Sequence, residues 1–454
     1  MRAGLRRWAH EWRPSVITLG APTYPLVVLF GLNAVDELDR AAFAVLLPDI
    51  RDRLGLTNAG ALQLVSVATI AVLLIEIPLS FYCDRRNRVR IATVGAAVWA
   101  AFSIGTGAAL TVASVGMLIA ARVGAGTGRA VVTPTHSSLL SDYYERAARV
   151  KVFSAHRQAN SVGQILGPLL AGVIAERLGL AWPFYLFAIP TLVFVVMALR
   201  LREPVRGYHD RLAAGADEQT ALVADEHETA WSTIKVLHQV RTIRRIWLAT
   251  PFLAVALFGI GNLLSLIYEE VFDLDSAARG AIAAGIEPLQ VVGVFVAMPR
   301  VARIAVHDPG FLLRFVGIVG VVDGFVLVVL AYAPNLAVAI AMNAILSASI
   351  GTLAPAFFAL VSIVAPARVR AASFSTISVF GIPGIAVFLP LIGVLSDQLG
   401  IQASMVVMVP IGVTAGFILS TASKFVIDDI AAAHARPPDL ADLAKADELD
   451  TGLA

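Results

Sequence analysis

Asn33-Ala34-Val35-Asp36-Glu37-Leu38-Asp39-Arg40 lies in the middle of an apolar run from Pro25 to Ile50. A charge at bilayer depth costs at least ~2.5–3.5 kcal/mol on insertion scales, so four charged side chains there cannot simply face lipid. On a helix, Asn33, Asp36, Glu37 and Arg40 fall at i, i+3, i+4 and i+7, which is one face. The run therefore reads as a membrane helix with a polar stripe turned inward.

The rest of the chain supports a membrane protein. Its 454 residues are 58% hydrophobic and 15% charged, with a mean hydropathy of +0.78, against about 25% charged in soluble domains. Apolar runs of about 20 residues, each long enough to span hydrocarbon, recur along most of the length. A single cysteine, Cys83, excludes an internal disulfide framework. The expected fold is an all-α integral membrane protein with twelve spans. They are placed near residues 25–49, 60–83, 90–110, 113–138, 151–175, 181–200, 246–271, 278–300, 310–332, 335–363, 371–396 and 402–423. The corresponding divisions are an N-terminal segment 1–24, a six-helix bundle 25–200, a linker 201–245, a second bundle 246–423 and a tail 424–454. Arg6, Arg7 and Arg13 interleaved with Leu5, Trp8 and Trp12 read as a short interfacial helix or as a basic tail.

Lysine and arginine set the expected orientation. One side collects Arg2, Arg85, Arg86, Arg88, Arg90, Arg146, Arg149, Lys151, Arg300, Arg303, Arg368 and Arg370. The other has Arg51, Arg53, Arg177 and Arg279. Both termini and the linker are expected in the cytoplasm, and the protein in the cell membrane.

The two halves are internally related. An ungapped offset of 221 positions pairs Pro134 with Pro355, Arg149 with Arg370 and Gly163 with Gly384. It also pairs Gly172 with Gly393, Glu176 with Asp397 and Gly179 with Gly400. Parallel six-helix repeats of this kind mark a transporter architecture with the substrate path between the halves.

After the second span comes Ser80-Phe81-Tyr82-Cys83-Asp84-Arg85-Arg86-Asn87-Arg88-Val89-Arg90. It resembles the loop signature of the major facilitator superfamily at Asp84, Arg85, Arg88 and Arg90, and departs from it at Ser80 and Asn87. Arg122-Val123-Gly124-Ala125-Gly126-Thr127-Gly128-Arg129 resembles the family's fourth-helix motif. Gly163, Gly167, Pro168 and Gly172 resemble its fifth-helix motif, where small residues allow close packing and proline allows a bend. The first segment, Asn33 to Leu56, is similar to spinster-like and organic-anion branches, although Arg129 stands where spinster-like proteins usually carry an acid. The resemblance implies alternating access between two bundles, with the loop motif acting as a cytoplasmic gate.

The fourth span answers the first. Arg122, Arg129, Thr133 and His136 share a helical face and carry +2, against about −2 on Asp36, Glu37, Asp39 and Arg40. Opposite charges ~4 Å apart attract by about 4 kcal/mol at an effective dielectric near 20. Protonation of a carboxylate would weaken such a pair, so Asp36 or Asp39 is the expected proton acceptor and Arg129 its switchable partner. Asn33, Thr133, His156, Arg157, Asn262 and Asn343 are expected to line the substrate cavity, apolar on its C-terminal side. The function expected is proton-coupled transport of a small amphipathic organic molecule by a monomer. The alternatives are import of an organic anion bound by Arg122 and Arg129, and a membrane scaffold or enzyme. No phosphate-binding glycine loop, metal-ligand spacing or catalytic constellation is present, so no cofactor, metal or nucleic acid is expected.

Overall fold

The computed structural model describes residues 13–206, 208–213, 230–365 and 379–434. The basic N-terminal segment, the acidic part of the linker, Arg368 and Arg370, and the end of the tail lie outside these.

Twelve helices carry the fold. In the first half they are α1 Tyr24–Val45, α2 Asn58–Arg85, α3 Arg88–Thr111, α4 Val115–Tyr143, α5 Arg146–Leu178 and α6 Trp182–Ala198. In the second half they are α7 Arg241–Glu270, α8 Ser276–His307, α9 Phe311–Ala331, α10 Leu336–Val364, α11 Ile382–Leu399 and α12 Met408–Ala422. Among the described residues nine helical runs are long and apolar enough to cross a membrane. The other three spans have specific reasons to fall short. Four charges interrupt α1, while Gln158, Asn160, Ser161 and Gln164 dilute α5. At 17 residues, α6 is short.

Helix starts follow local chemistry. Asn87 and Ser114 accept the backbone N–H three residues on, at 2.7 and 3.3 Å, opening α3 and α4. Asp275 and Asn335 do the same for α8 and α10 at 2.7 and 3.0 Å. Such caps satisfy one of the free amides of a helix start. Asn87, a departure from the family's loop pattern, is thus the cap of α3. Prolines mark the interruptions. The turn at Ala130–Val131 within α4 begins four residues before Pro134, whose ring opposes the carbonyl of residue i−4. The break in α8 at Glu287 precedes Pro288. By contrast α5 runs as one helix through Pro168.

The repeat is visible in the helix boundaries. Adding 221 to the ends of α4 gives the ends of α10, and the last residue of α5 falls on the last residue of α11. Each of those two helices stops on a glycine in the left-handed region, Gly179 (φ 104°) and Gly400 (φ 85°). Only glycine enters that region without steric cost.

Polar contacts join the halves at one end. Arg51, in the α1–α2 connection, lies 3.0 Å from Glu269 of α7 and also pairs with Glu270. Arg279 of α8 pairs with Asp49. Ser265 donates to the Val45 carbonyl at 2.6 Å. These polar contacts between the bundles lie at the end opposite the linker. They close the molecule at the far end.

Glycines set the tightest contacts. A Cβ on Gly163 or Gly167 would come within 2.5 Å of backbone oxygens of α1, and one on Gly172 within 2.2 Å of the Ser276 carbonyl. This glycine face seats α1 and α8, so the motif supplies close packing here.

Candidate functional site

The polar stripe of α1 divides among three surroundings. At about 100° per residue, Asp39 through Glu37 covers an arc of roughly 160°, wider than one neighbouring helix. Asp39 is fully buried at the edge facing α3 and α4. It accepts from Arg122 at 2.9 Å and from the Ser103 hydroxyl at 3.0 Å. The Arg122 guanidinium also stacks 4.3 Å from the Phe43 ring centroid, which supports the cation electrostatically. Asp36 contacts Arg129 at 2.6 Å. On the other edge, Asn33 donates to Asn160 of α5 at 2.6 Å and to the His156 carbonyl at 3.3 Å. Glu37 pairs with Arg40 at 2.7 Å and accepts from Gln164 at 3.3 Å.

Between the bundles lies a cavity of about 300 Å3. Arg40 projects into its N-terminal wall beside Gln164, and its side chain remains 40% exposed. Glu287 and Gln290 of α8 stand in the opposite wall, joined by a 2.6 Å hydrogen bond. Asn343 and Tyr268 contribute a third polar element through a 2.9 Å hydrogen bond from the amide to the phenol oxygen. Leu264, Ile286, Leu346 and Ile350 fill the apolar stretches between them.

Several expectations change. The Asp36–Arg129 and Asp39–Arg122 pairs form as the opposed charges implied, but inside the first bundle, and they do not line the central cavity. Arg40 takes that position, because it lies between the two edges of the arc. The C-terminal wall is not apolar: Glu287, Gln290, Tyr268 and Asn343 all reach it. Of the cavity candidates, Asn343 lines it, whereas Asn33, His156, Arg157 and Asn262 do not. Asn33 and His156 are held in the α1–α4–α5 interface, Arg157 is exposed, and Asn262 donates back to the Phe258 carbonyl at 3.2 Å. The side chain of Thr133 lies outside the described ones.

The described side chains of the loop motif also stay within one bundle. Arg88 is 1% exposed. It binds Asp142, donates to Ser138 at 2.6 Å and to Glu203 at 2.7 Å, and so ties α3 to the ends of α4 and α6. Arg90 is exposed, and the side chains of Asp84 and Arg85 lie outside the described ones. Outside the membrane, burial raises the Asp49 carboxyl above its ordinary range, against the opposing pull of Arg279.

A family model described as Major Facilitator Superfamily matches residues 29–382. The cis,cis-muconate transport protein of Acinetobacter baylyi is 23% identical over 285 residues, which cover 62% of this chain and 66% of that protein. Protein spinster of Drosophila melanogaster is 26% identical over 189 residues, covering 41% of this chain and 31% of that protein. The match thus spans just under two thirds of the first relative and about a third of the second. Among solved structures, a bacterial homolog to the human lysosomal transporter spinster, inward-facing and unoccupied, superposes with a TM-score of 0.70 at 18% identity. That match covers 90% of this chain and 98% of the other. A D-xylose-proton symporter superposes with a TM-score of 0.64 at 15% identity, covering 87% of this chain and 96% of the other. At these identities the structural likeness is one of fold.

Proposed function

Since this chain belongs to the major facilitator superfamily, we propose that it is a proton-coupled secondary transporter of a small amphipathic organic molecule bearing an anionic group. The observation that carries this is Arg40, a partly exposed guanidinium at the wall of an otherwise mixed polar and apolar cavity. A guanidinium fork matches a carboxylate bidentately. The relative described as transporting cis,cis-muconate, a dicarboxylate, points the same way. The distribution of lysine and arginine supports a linker end in the cytoplasm of a cell membrane, with the closed end facing outward. Coupling is assigned to the Asp36–Arg129 and Asp39–Arg122 pairs, because a proton on either carboxylate removes the attraction that holds α1 to α4.

A second reading is favoured by Glu287. Its carboxylate shares the cavity with Arg40 from the opposite bundle, an arrangement that also fits a substrate carrying both charges, such as a lysolipid headgroup. The two separate in a melting screen of purified protein with cis,cis-muconate, simpler mono- and dicarboxylates, and lysophosphatidylcholine. Stabilisation by carboxylates that is lost in Arg40→Gln and kept in Glu287→Gln supports the anion. Stabilisation by the lysolipid that is lost in both variants supports the zwitterion. Carboxylate stabilisation that survives Arg40→Gln contradicts the assignment of Arg40.

A further inference from the structure

Inside the first bundle, apart from the substrate cavity, a second chamber of about 10 Å3 lies among α1, α3 and α4. Asp36, Trp99, Arg129 and His136 are its polar lining, and the remaining walls are small or apolar. Two of these groups are buried without a hydrogen-bond partner among the described residues, Asp36 Oδ1 and Trp99 Nε1. Arg129 Nε approaches Asp36 Oδ1 at 2.6 Å, yet without hydrogen-bond alignment. Leaving a buried donor or acceptor unmade costs about 1–3 kcal/mol each. A chamber of one probe volume with two to four polar partners suits a single water.

The chamber connects onward. His136, on its wall, places Nδ1 3.2 Å from Nε2 of His156 in α5, with the rings edge to face at 5.3 Å. His156 is partly exposed, and its neighbour Arg157 is exposed. Asn33 fixes this level of α5 against α1 through Asn160 and the His156 carbonyl. A row of exchangeable groups thus runs from the partly exposed His156 through His136 and the chamber to the carboxylate of α1.

We propose that Asp36 is protonated through this row, from His156 to His136 to a water held in the chamber, and not from the substrate cavity. A proton taken up by His156 is matched by transfer across the Nε2–Nδ1 hydrogen bond to His136. His136 passes a proton to the water, and the water passes one to Asp36. Each step forms one N–H or O–H bond as another breaks, and one proton in all moves from His156 to the carboxyl. Neutralised Asp36 then releases Arg129. The charged groups surrounding the row are Glu37, Asp39 and Arg40 on α1, Arg129 on α4 and Arg157 on α5. In α3 only Trp99 and small apolar residues face the chamber.

The relay presupposes that Asp36 takes part in the proton coupling proposed above, but its test does not need a substrate. Reconstituted protein is taken from about pH 8 to about pH 5, across neutral pH. The rise of the carboxylic-acid infrared band that is missing in Asp36→Asn is followed in time. The relay predicts that His136→Phe and His156→Gln slow this band at least ~10-fold, as expected when a positioned proton carrier is lost, and that Trp99→Phe, which removes a partner of the water, slows it as well. His238→Gln, a histidine outside the row, leaves the rate unchanged. Only variants that keep the wild-type elution and melting profiles are compared, and the mild His156→Gln change keeps the test usable if His136→Phe does not fold. An unchanged rate in folded His136 and His156 variants overturns the relay, as does a wild-type protein with no Asp36 band over this pH range. A slowed band in a protein whose transport ignores proton gradients leaves the relay standing and refutes the coupling instead.

Discussion

Asp397, at the end of α11, accepts the backbone N–H of Asn58 at 2.8 Å, so a carboxylate of one bundle sits on the first turn of a helix of the other. The second oxygen accepts from Ala59 at 3.2 Å. The repeat partner of Asp397, Glu176, meets the start of α8, where the Ser276 hydroxyl lies 3.5 Å from its carboxylate. Gly393 and Gly172, four residues earlier in each helix, allow the close approach. The far end is thus closed by two related clasps, in which a carboxylate is favoured at a helix start by the free amides and the helix dipole.

Removing the stronger clasp should open the far end. Hydrogen bonds to a charged group contribute about 1.5–3 kcal/mol, so Asp397→Ala should shift the closed-to-open ratio roughly 10-fold or more, with Glu176→Ala weaker. Spin-label distances between the far ends of α2 and α11 report this. An unaltered distance distribution in Asp397→Ala would show that the clasp holds nothing.

Asp39 should matter for stability as well as for coupling. It is fully buried and Arg122 is 10% exposed, and breaking a buried pair on one side costs about 3–5 kcal/mol. Asp39→Asn should therefore lower the melting temperature strongly. Arg40→Gln, which removes a half-exposed partner of Glu37, should barely change it. Parallel thermal unfolding of the two variants in one detergent checks the difference.

The glycine face of α5 gives a steric prediction. A Cβ at Gly167 would lie 2.4 Å from the Leu38 carbonyl oxygen, whereas one at Gly285 meets nothing within 4 Å. Gly167→Ala should cost about 1–3 kcal/mol by overpacking. Gly285→Ala should be neutral or slightly stabilising, because it also restricts the unfolded chain. Melting curves of both variants separate packing from helix propensity.

Much of the fold is legible from residues alone, because its signals are local. The apolar runs place most of the spans within a few residues, and the offset of 221 survives as matching helix ends. The acidic stripe of α1 and the arginines of α4 are likewise recognisable as opposed charges. Which member meets which neighbour is not, since five side chains spread over more than one helix face. That is why Arg40, rather than Asp36 or Asp39, reaches the cavity. Glu287 and Tyr268 are single polar residues in separate helices, and only the meeting of α7, α8 and α10 gives them a common wall. His136 and His156 are 20 residues apart, and nothing in their spacing reveals that α4 and α5 return them to contact.

The central claim, that substrate and protons move together through this molecule, is tested most directly in proteoliposomes containing a pH-sensitive dye. The added compound is a carboxylate that stabilises the protein in the melting screen. The account predicts that its uptake or release shifts the internal pH in wild-type vesicles. In Asp36→Asn, substrate exchange should continue without that shift. Substrate accumulation in wild-type vesicles with no proton movement, and with no response to an imposed pH gradient, would contradict it.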